Sequence, residues 1–180
     1  LSGSLSSINM INDNDLIYLT PYILNLTNLK YLNLSQNCLS SISISFFVET
    51  FKMLINLETL NLNQNELCDE GIIELSSQIE NLKRLKHLSL VYNKIKYYGL
   101  MSLSKKLPLL KRLTHLNLSS NFIFYEEMNS FITSMNNLPL LTYLNISNNQ
   151  IMSDGLVLIS NKLNKMNNLF PNISDEREKV

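Results

Sequence analysis

Leucine returns at a fixed interval of 28 residues, and no other feature restricts the possible folds so tightly. Leu29, Leu57, Leu85, Leu113 and Leu141 open five successive units with no insertion or deletion between them. The fourth position of each unit holds Leu32, Leu60, Leu88, Leu116 and Leu144. The sixth holds Leu34, Leu62, Leu90, Leu118 and Ile146. The ninth holds Asn37, Asn65, Asn93, Asn121 and Asn149, and the eleventh holds Leu39, Leu67, Ile95, Ile123 and Ile151. No single unit of this size can bury its own leucines. Units of this kind stack so that neighbours share one continuous core.

The second half of each unit changes period. Ile72, Leu75, Ile79 and Leu82 are spaced by three and four, as on one face of a helix. Leu100, Leu103, Leu107 and Leu110 repeat the spacing, as do Met128, Phe131, Met135 and Leu138. Gly71, Gly99 and Gly155 read as sharp turns ahead of these helices, with Ser43 and Glu127 as the departures.

The pattern L-x-x-L-x-L-x-x-N-x-[LI] over residues 29–168 resembles the leucine-rich repeat family. A unit of 28 residues with a full helix is similar to the ribonuclease-inhibitor-like subclass. The resemblance implies an α/β fold: a curved solenoid with a parallel β-sheet on the concave face and α-helices on the convex face. The expected layout is a single domain over 1–168. It comprises a partial unit 1–28 and full units 29–56, 57–84, 85–112, 113–140 and 141–168, followed by a C-terminal tail 169–180. At the front, Asn9, Ile11, Leu16, Leu19, Ile23 and Leu26 keep the register. Ser4 and Ser6 fall where leucines belong, so residues 1–7 read as lacking a strand start. In the tail, Leu169 is in register, but Asn172 and Ser174 replace the next two leucines. The chain opens on Leu1 rather than Met, which admits a piece cut from a longer protein.

Charge and composition exclude several function classes. Fifteen basic and fifteen acidic residues cancel, which argues against an electrostatic grip on nucleic acid or an anionic membrane. The apolar runs are short and broken, so no segment reads as membrane-spanning, and no basic region leads into a long apolar stretch at the N-terminus. Two cysteines, Cys38 and Cys68, make neither a metal quartet nor a disulfide framework. They read as reduced thiols in a cytoplasmic protein. Four glycines leave no phosphate-cradling loop, no Ser sits in a nucleophile elbow, and no motif pairs two carboxylates. The chain therefore reads as no enzyme. Asp69, Glu70, Glu126 and Glu127 fall in strand-to-helix loops, where acids favour a helix N-terminus.

The asparagine column has two readings, a recognition ladder or amides that satisfy backbone groups in the loop after each strand. The second is preferred because an amide offers both donors and acceptors. Asn25, Asn33, Asn117, Asn145 and Asn172 each begin an N-x-S/T glycosylation pattern. Three of these occupy the fifth position of the repeat, and a chain with 26 Asn generates the pattern by chance.

What the scaffold does not claim is aromatic and histidine-rich. His87 and His115 share the third position of adjacent units, about 4.8 Å apart if they lie on neighbouring strands. Two imidazoles at that distance are able to hold a metal, but their flanking equivalents, Thr59 and Tyr143, supply no third ligand, although Glu58 lies nearby. They read as a solvated pair, with no metal and no cofactor. Tyr97 and Tyr125 share position thirteen and should be neighbours on the strand-to-helix rim, surrounded by Tyr92, Tyr98, Phe122 and Phe124. Such a cluster is either a contact surface or a set of rings packed on one another over the loop.

The preferred reading is a non-catalytic protein–protein interaction module. It acts as a monomer and binds an unidentified protein partner through the concave face and its rim. The candidate partner-binding residues are His87, Tyr92, Tyr97, His115, Phe122 and Tyr125. Two alternatives stand beside it. One is a regulator of a small GTPase, like the Ran-activating proteins with similar repeats. Those carry a long acidic tail, whereas "SDEREKV" here is short and mixed. The other is an adaptor or effector fragment whose active domain lies outside this chain.

Overall fold

A computed structural model describes residues 3–6, 11–163 and 170–172. Among the described residues, seven strands form one parallel sheet whose spatial order is the chain order: β1 (Gly3–Ser6), β2 (Leu29–Asn33), β3 (Thr59–Asn61), β4 (His87–Ser89), β5 (His115–Asn117), β6 (Tyr143–Asn145) and β7 (Phe170–Asn172). Helices α1 (Asp13–Ile23), α2 (Ser41–Phe47), α3 (Cys68–Gln78), α4 (Tyr97–Lys106), α5 (Met128–Met135) and α6 (Met152–Leu163) follow β1 to β6 in turn, and each packs on its chain neighbour. This is the leucine-rich-repeat solenoid that the period implies.

Register follows from the repeat. From β2 to β6, paired residues are 28 apart in sequence: Leu32 opposite Leu60, Leu60 opposite Leu88, and so on to Leu144. Side chains alternate across a strand. The fourth-position leucines therefore turn inward and are fully buried, leaving positions three and five for the open face. The sixth- and eleventh-position residues and the helix residues Ile72, Leu75, Leu100, Leu103, Met128 and Phe131 complete one core. Each fully buried Leu contributes roughly 1.5–3 kcal/mol relative to exposure, offset by the conformational entropy lost on ordering the chain.

The helices are shorter than the apolar spacing predicts. α3 stops at Gln78, and Ile79–Asn81 tighten into a 3₁₀ turn, so Leu82 is buried from the linking loop rather than from the helix. α4 likewise gives way to the 3₁₀ turn Leu107–Leu109, where Pro108 cannot continue an α-helix.

At the first edge the structure corrects the reading of residues 1–7. They do include a strand, and its register is 27 rather than 28: Leu5 stands opposite Leu32, with Ser4 and Ser6 on either side of it. A strict 28-residue frame places leucines one position too early, and a separate irregularity between Gly3 and Ser4 changes the offset from 26 to 27 within the strand. At the last edge, Phe170 pairs with Tyr143 and Pro171 with Leu144, again 27 apart. β7 pairs with β6 alone in the strand order, where the missing N–H of a proline opposite Leu144 is tolerated. Asn9, Leu169 and Ser174 lie outside the described residues.

The glycines do not make turns ahead of the helices. Gly71, Gly99 and Gly155 lie inside the first turns of α3, α4 and α6, and none has positive φ. Their role is close approach. A Cβ on Gly99 would stand 2.6 Å from Asp69 Oδ1 and 3.2 Å from Asp69 Cα, and one on Gly155 would stand 3.0 Å from Tyr125 Cβ. Left-handed backbone occurs elsewhere, at Cys68, Lys94 and Met152 and, regularly, at the eighth position of every full unit: Gln36, Gln64, Tyr92, Ser120 and Asn148 have φ of 57, 54, 60, 56 and 55°. Glycine would adopt this conformation most easily, yet none of the five is glycine. The recurrence marks it as part of the scaffold's own turn.

The asparagine column serves that turn. Asn121 Nδ2 donates to Leu118 O at 2.9 Å in its own unit and to Leu90 O at 3.0 Å in the unit before. Its Oδ1 accepts from the N–H groups of Asn93 and Ile95. Asn149 donates in the same way to Ile146 O and Leu118 O and accepts from Ile123 N–H. The amides are thus rivets between units. Asn93 departs from the pattern. Its Oδ1 has no hydrogen-bond partner. Beside it, Cys68 is left-handed, and its N–H donates to the Asn93 main-chain oxygen instead.

Candidate functional site

The strand face presents the third-position row Tyr31, Thr59, His87, His115 and Tyr143, paired side by side across β2 to β6. His87 and His115 are both exposed and meet edge to face, with ring centroids 4.5 Å apart. His115 then stacks on Tyr143 at 5.4 Å and 24°. His115 Nδ1 lies 2.9 Å from Thr114 Oγ1, and His87 Nδ1 lies 3.4 Å from Thr59 Oγ1. The hydroxyls orient the rings. The result is a continuous row of three aromatic side chains: the two candidate histidines and Tyr143, whose ring the repeat pattern alone does not mark as a candidate. Among the described residues, no group of three or more His, Cys, Asp or Glu side chains comes together.

Beside this row the second-position residues form an ion cluster. Glu58 accepts from Lys86 Nζ at 2.6 Å and faces Lys30 Nζ at 3.8 Å. The Lys86 hydrogen bond holds the Glu58 carboxyl below its ordinary pKa, against a smaller opposing effect of burial. Burial, the His115 ring and Lys86 together depress the His87 pKa below 6.5, and Glu58 opposes them. The face therefore carries one carboxylate shared between two ammonium groups, with rings standing beside it.

The remaining candidates lie where strands run into helices. Tyr92 and Phe122, both exposed, line one hollow of about 410 Å³ with Lys94, Ser120, Asn121 and Asn148. Their union follows from the scaffold: Tyr92 and Ser120 hold the left-handed eighth position in adjacent units, and Phe122 N–H donates to Ile95 O across the unit boundary. Tyr97 opens α4, and Tyr125 opens the 3₁₀ turn before α5, so they occupy equivalent places in neighbouring units. They are 45% and 40% exposed and hence are not scaffold core. Tyr97 meets Tyr98 edge-on at 5.1 Å. The six candidates thus form three sets along adjacent units: the histidine row, the Tyr92–Phe122 hollow and the two helix-start tyrosines.

Asp69 and Glu70 lie in the first turn of α3, as acids at a helix N-terminus should, and Asp69 at position thirteen has a second role. Asp69 accepts from Lys96 N–H at 2.7 Å and from Tyr98 N–H at 3.1 Å, so it caps α4 of the next unit. Asp13 does the same for α2 through Ser40 N–H and the Ser40 hydroxyl. Burial works to raise the Asp13 pKa, but hydrogen bonds from Ser40 and Ser43 outweigh it and leave the carboxyl below its ordinary range. Where Asp gives way to Tyr97 and Tyr125, this position no longer caps a helix with a carboxylate.

The glycosylation patterns have a local role as well. Asn117 Oδ1 accepts from both the main-chain N–H and the hydroxyl of Ser119, and Asn145 does the same with Ser147. The i, i+2 spacing closes the end of each strand. Cys38 and Cys68 are both free, the first exposed. Among the described residues, no helix is long and apolar enough to cross a membrane.

One family model described as Leucine Rich repeat matches residues 54–76, 83–104 and 137–160, and a second model of that description matches 28–49. The chain belongs to the leucine-rich repeat family. The matched spans leave out the strand of the unit from Leu113, yet β5 pairs on both sides as its neighbours do. No curated protein matches this leucine-rich repeat chain. Among solved structures, it is similar to the actin-binding site 2 of leiomodin-1. The TM-score is 0.61 at 17% identity, over 77% of this chain and 79% of that one. It is also similar to an internalin C2 from Listeria monocytogenes, with a TM-score of 0.57 at 22% identity over 95% and 79% of the two chains. Both likenesses concern the repeat fold.

Proposed function

We propose that this leucine-rich repeat chain is a non-catalytic protein-interaction module of the ribonuclease-inhibitor-like subclass. It takes a protein partner on its strand face and the adjoining strand-to-helix rim, across the units from Leu85 and Leu113. The observation that carries the reading is the ring row of the exposed His87 and His115 and the half-buried Tyr143, which stands on the open face although the core does not need it. Tyr92, Phe122, Tyr97 and Tyr125 extend the same surface onto the rim. Aromatic side chains supply large contact area with few rotatable bonds, and they recur among residues that dominate binding energy. The 28-residue unit with a helix in each repeat supports the subclass. The free thiols of Cys38 and Cys68 support a cytoplasmic setting.

The test uses a partner identified by capture on the wild-type chain and then purified. The double variants His87→Ala/His115→Ala and Tyr97→Ala/Tyr125→Ala should each keep the wild-type melting temperature. Each should weaken that partner at least tenfold, about 1.4 kcal/mol. Wild-type affinity in both variants would refute the assignment of this surface.

A further inference from the structure

The zero net charge conceals a local excess ahead of the strands, at the end away from the strand-to-helix rim. Lys83-Arg84 and Lys111-Arg112 occupy the last two positions of adjacent units, immediately before β4 and β5. The equivalent pairs in the flanking units are Ile55-Asn56 and Pro139-Leu140, so the basic doublet is confined to two neighbouring repeats. All four side chains are exposed. The local backbone is the same in both: Lys83 N–H donates to Asn81 O, and Lys111 N–H to Leu109 O. Lys83, Lys111 and Arg112 line one hollow of about 530 Å³ with Glu80, Asn81 and Leu109. Glu80, the acid in that lining, is already engaged by Lys106 at 3.0 Å. Leu109 stands 46% exposed among the cations.

Like charges stacked side by side in successive repeats work against folding, and none of the four holds a scaffold position. We infer that this basic edge is a second interaction surface, built to receive an acidic segment of a protein partner in which carboxylates flank an apolar side chain. Carboxylates match the three cations of the hollow, and the apolar residue matches Leu109. A nucleic acid fits less well. No aromatic lines this hollow for a base to stack on. The cationic doublets span only two units, and the chain as a whole offers no net positive field. This inference is independent of the rim tyrosines Tyr97 and Tyr125, which follow the other end of β4 and β5, whereas His87 and His115 open those strands on the same side as the doublets.

The probe is a fluorescein-labelled twelve-residue peptide of repeated Glu-Glu-Leu, titrated at low salt. The wild-type chain should bind it. Binding should fall at least tenfold when salt is raised to 0.5 M, because exposed charges are then screened. It should also fall at least tenfold in K83Q/R84Q/K111Q/R112Q, whose melting temperature should match wild type. The Tyr97→Ala/Tyr125→Ala chain should bind the peptide as wild type does, which separates this surface from the one proposed above. The inference is overturned if the wild-type chain ignores the peptide, or if the four-glutamine variant binds it equally. It is also overturned if a twenty-residue oligothymidylate binds the wild type as tightly as the peptide.

Discussion

His87 stands edge-on to His115 across β4 and β5, with ring centroids 4.5 Å apart and ring planes at 70°. The 28-residue period places the two side by side, since His87 and His115 pair directly in the sheet register. Partial burial, and then the second imidazole at this distance and the Lys86 ammonium, make a proton on His87 costly in the folded state. Glu58 would favour that proton, but its carboxylate is shared with Lys86 and Lys30.

A pH dependence of stability follows. The folded pKa of His87 lies below its unfolded value of 6.5. Between the two values the unfolded chain binds more protons than the folded one, so stability rises with pH across that window. The contribution is complete above 6.5 and is lost as pH falls through the depressed folded value. The melting temperature of the wild-type chain should therefore drop more between pH 7.5 and pH 5 than that of His87→Gln. Parallel melting curves for the two chains across this range would remove the argument.

The asparagine column offers a comparison within one molecule. Asn121→Ala removes an amide whose Nδ2 meets Leu90 O, Leu118 O and Ser119 O and whose Oδ1 meets Asn93 N–H and Ile95 N–H. Each buried group left without a partner costs about 1–3 kcal/mol. Asn93→Ala removes only donation to Leu62 O and Val91 O, and it deletes an oxygen that accepts nothing. Denaturant melts should rank Asn121→Ala as the more damaging. The reverse order would mean that the ladder is not held by these amides.

Much of this was legible in the letters because a repeat makes one inference serve five times. Leu32, Leu60, Leu88, Leu116 and Leu144 fall on one face of five strands for a single reason, and all are buried. Asn37 to Asn149 could be read as backbone partners because an amide supplies both donors and acceptors. The failures lie where geometry is not carried by residue type. Tyr92 and Gln64 give no hint of a left-handed backbone that glycine would ordinarily signal. Gly99 suggested a turn, but what excludes a side chain there is Asp69 of the preceding unit, a neighbour 30 residues away in sequence. Leu5 escaped because the 28-residue frame slips to 27 at the edge of the sheet. Of the surface, the residue types of the rings were plain. Their division into a stacked row, a shared hollow and two helix starts depended on the loop between strand and helix, which the period alone does not describe. The ring of Tyr143 joined His115 only once the register was known.

Asp69 and Gly99 together test how one unit holds the next. Gly99 lies in the first turn of α4, a place where alanine is ordinarily the better helix former by up to about 1 kcal/mol. Here an added Cβ would meet Asp69 Oδ1 at 2.6 Å and, more seriously, Asp69 Cα at 3.2 Å. The side-chain oxygen can rotate away, but doing so releases the N–H groups of Lys96 and Tyr98 that it caps. The Cα cannot move without shifting α3. Loss of such a cap costs about 0.5–2 kcal/mol, and overpacking costs typically 1–3 kcal/mol, so the sum exceeds the helix-propensity gain. Gly99→Ala should therefore destabilise the chain. Asp69→Ala should do so as well, through the lost cap alone. The double variant should lose less than the two single losses together, because without the carboxylate the new methyl displaces nothing but backbone. A Gly99→Ala chain that melts above wild type would show that α4 is free to move away from α3, and that the close approach between units is not what requires glycine here.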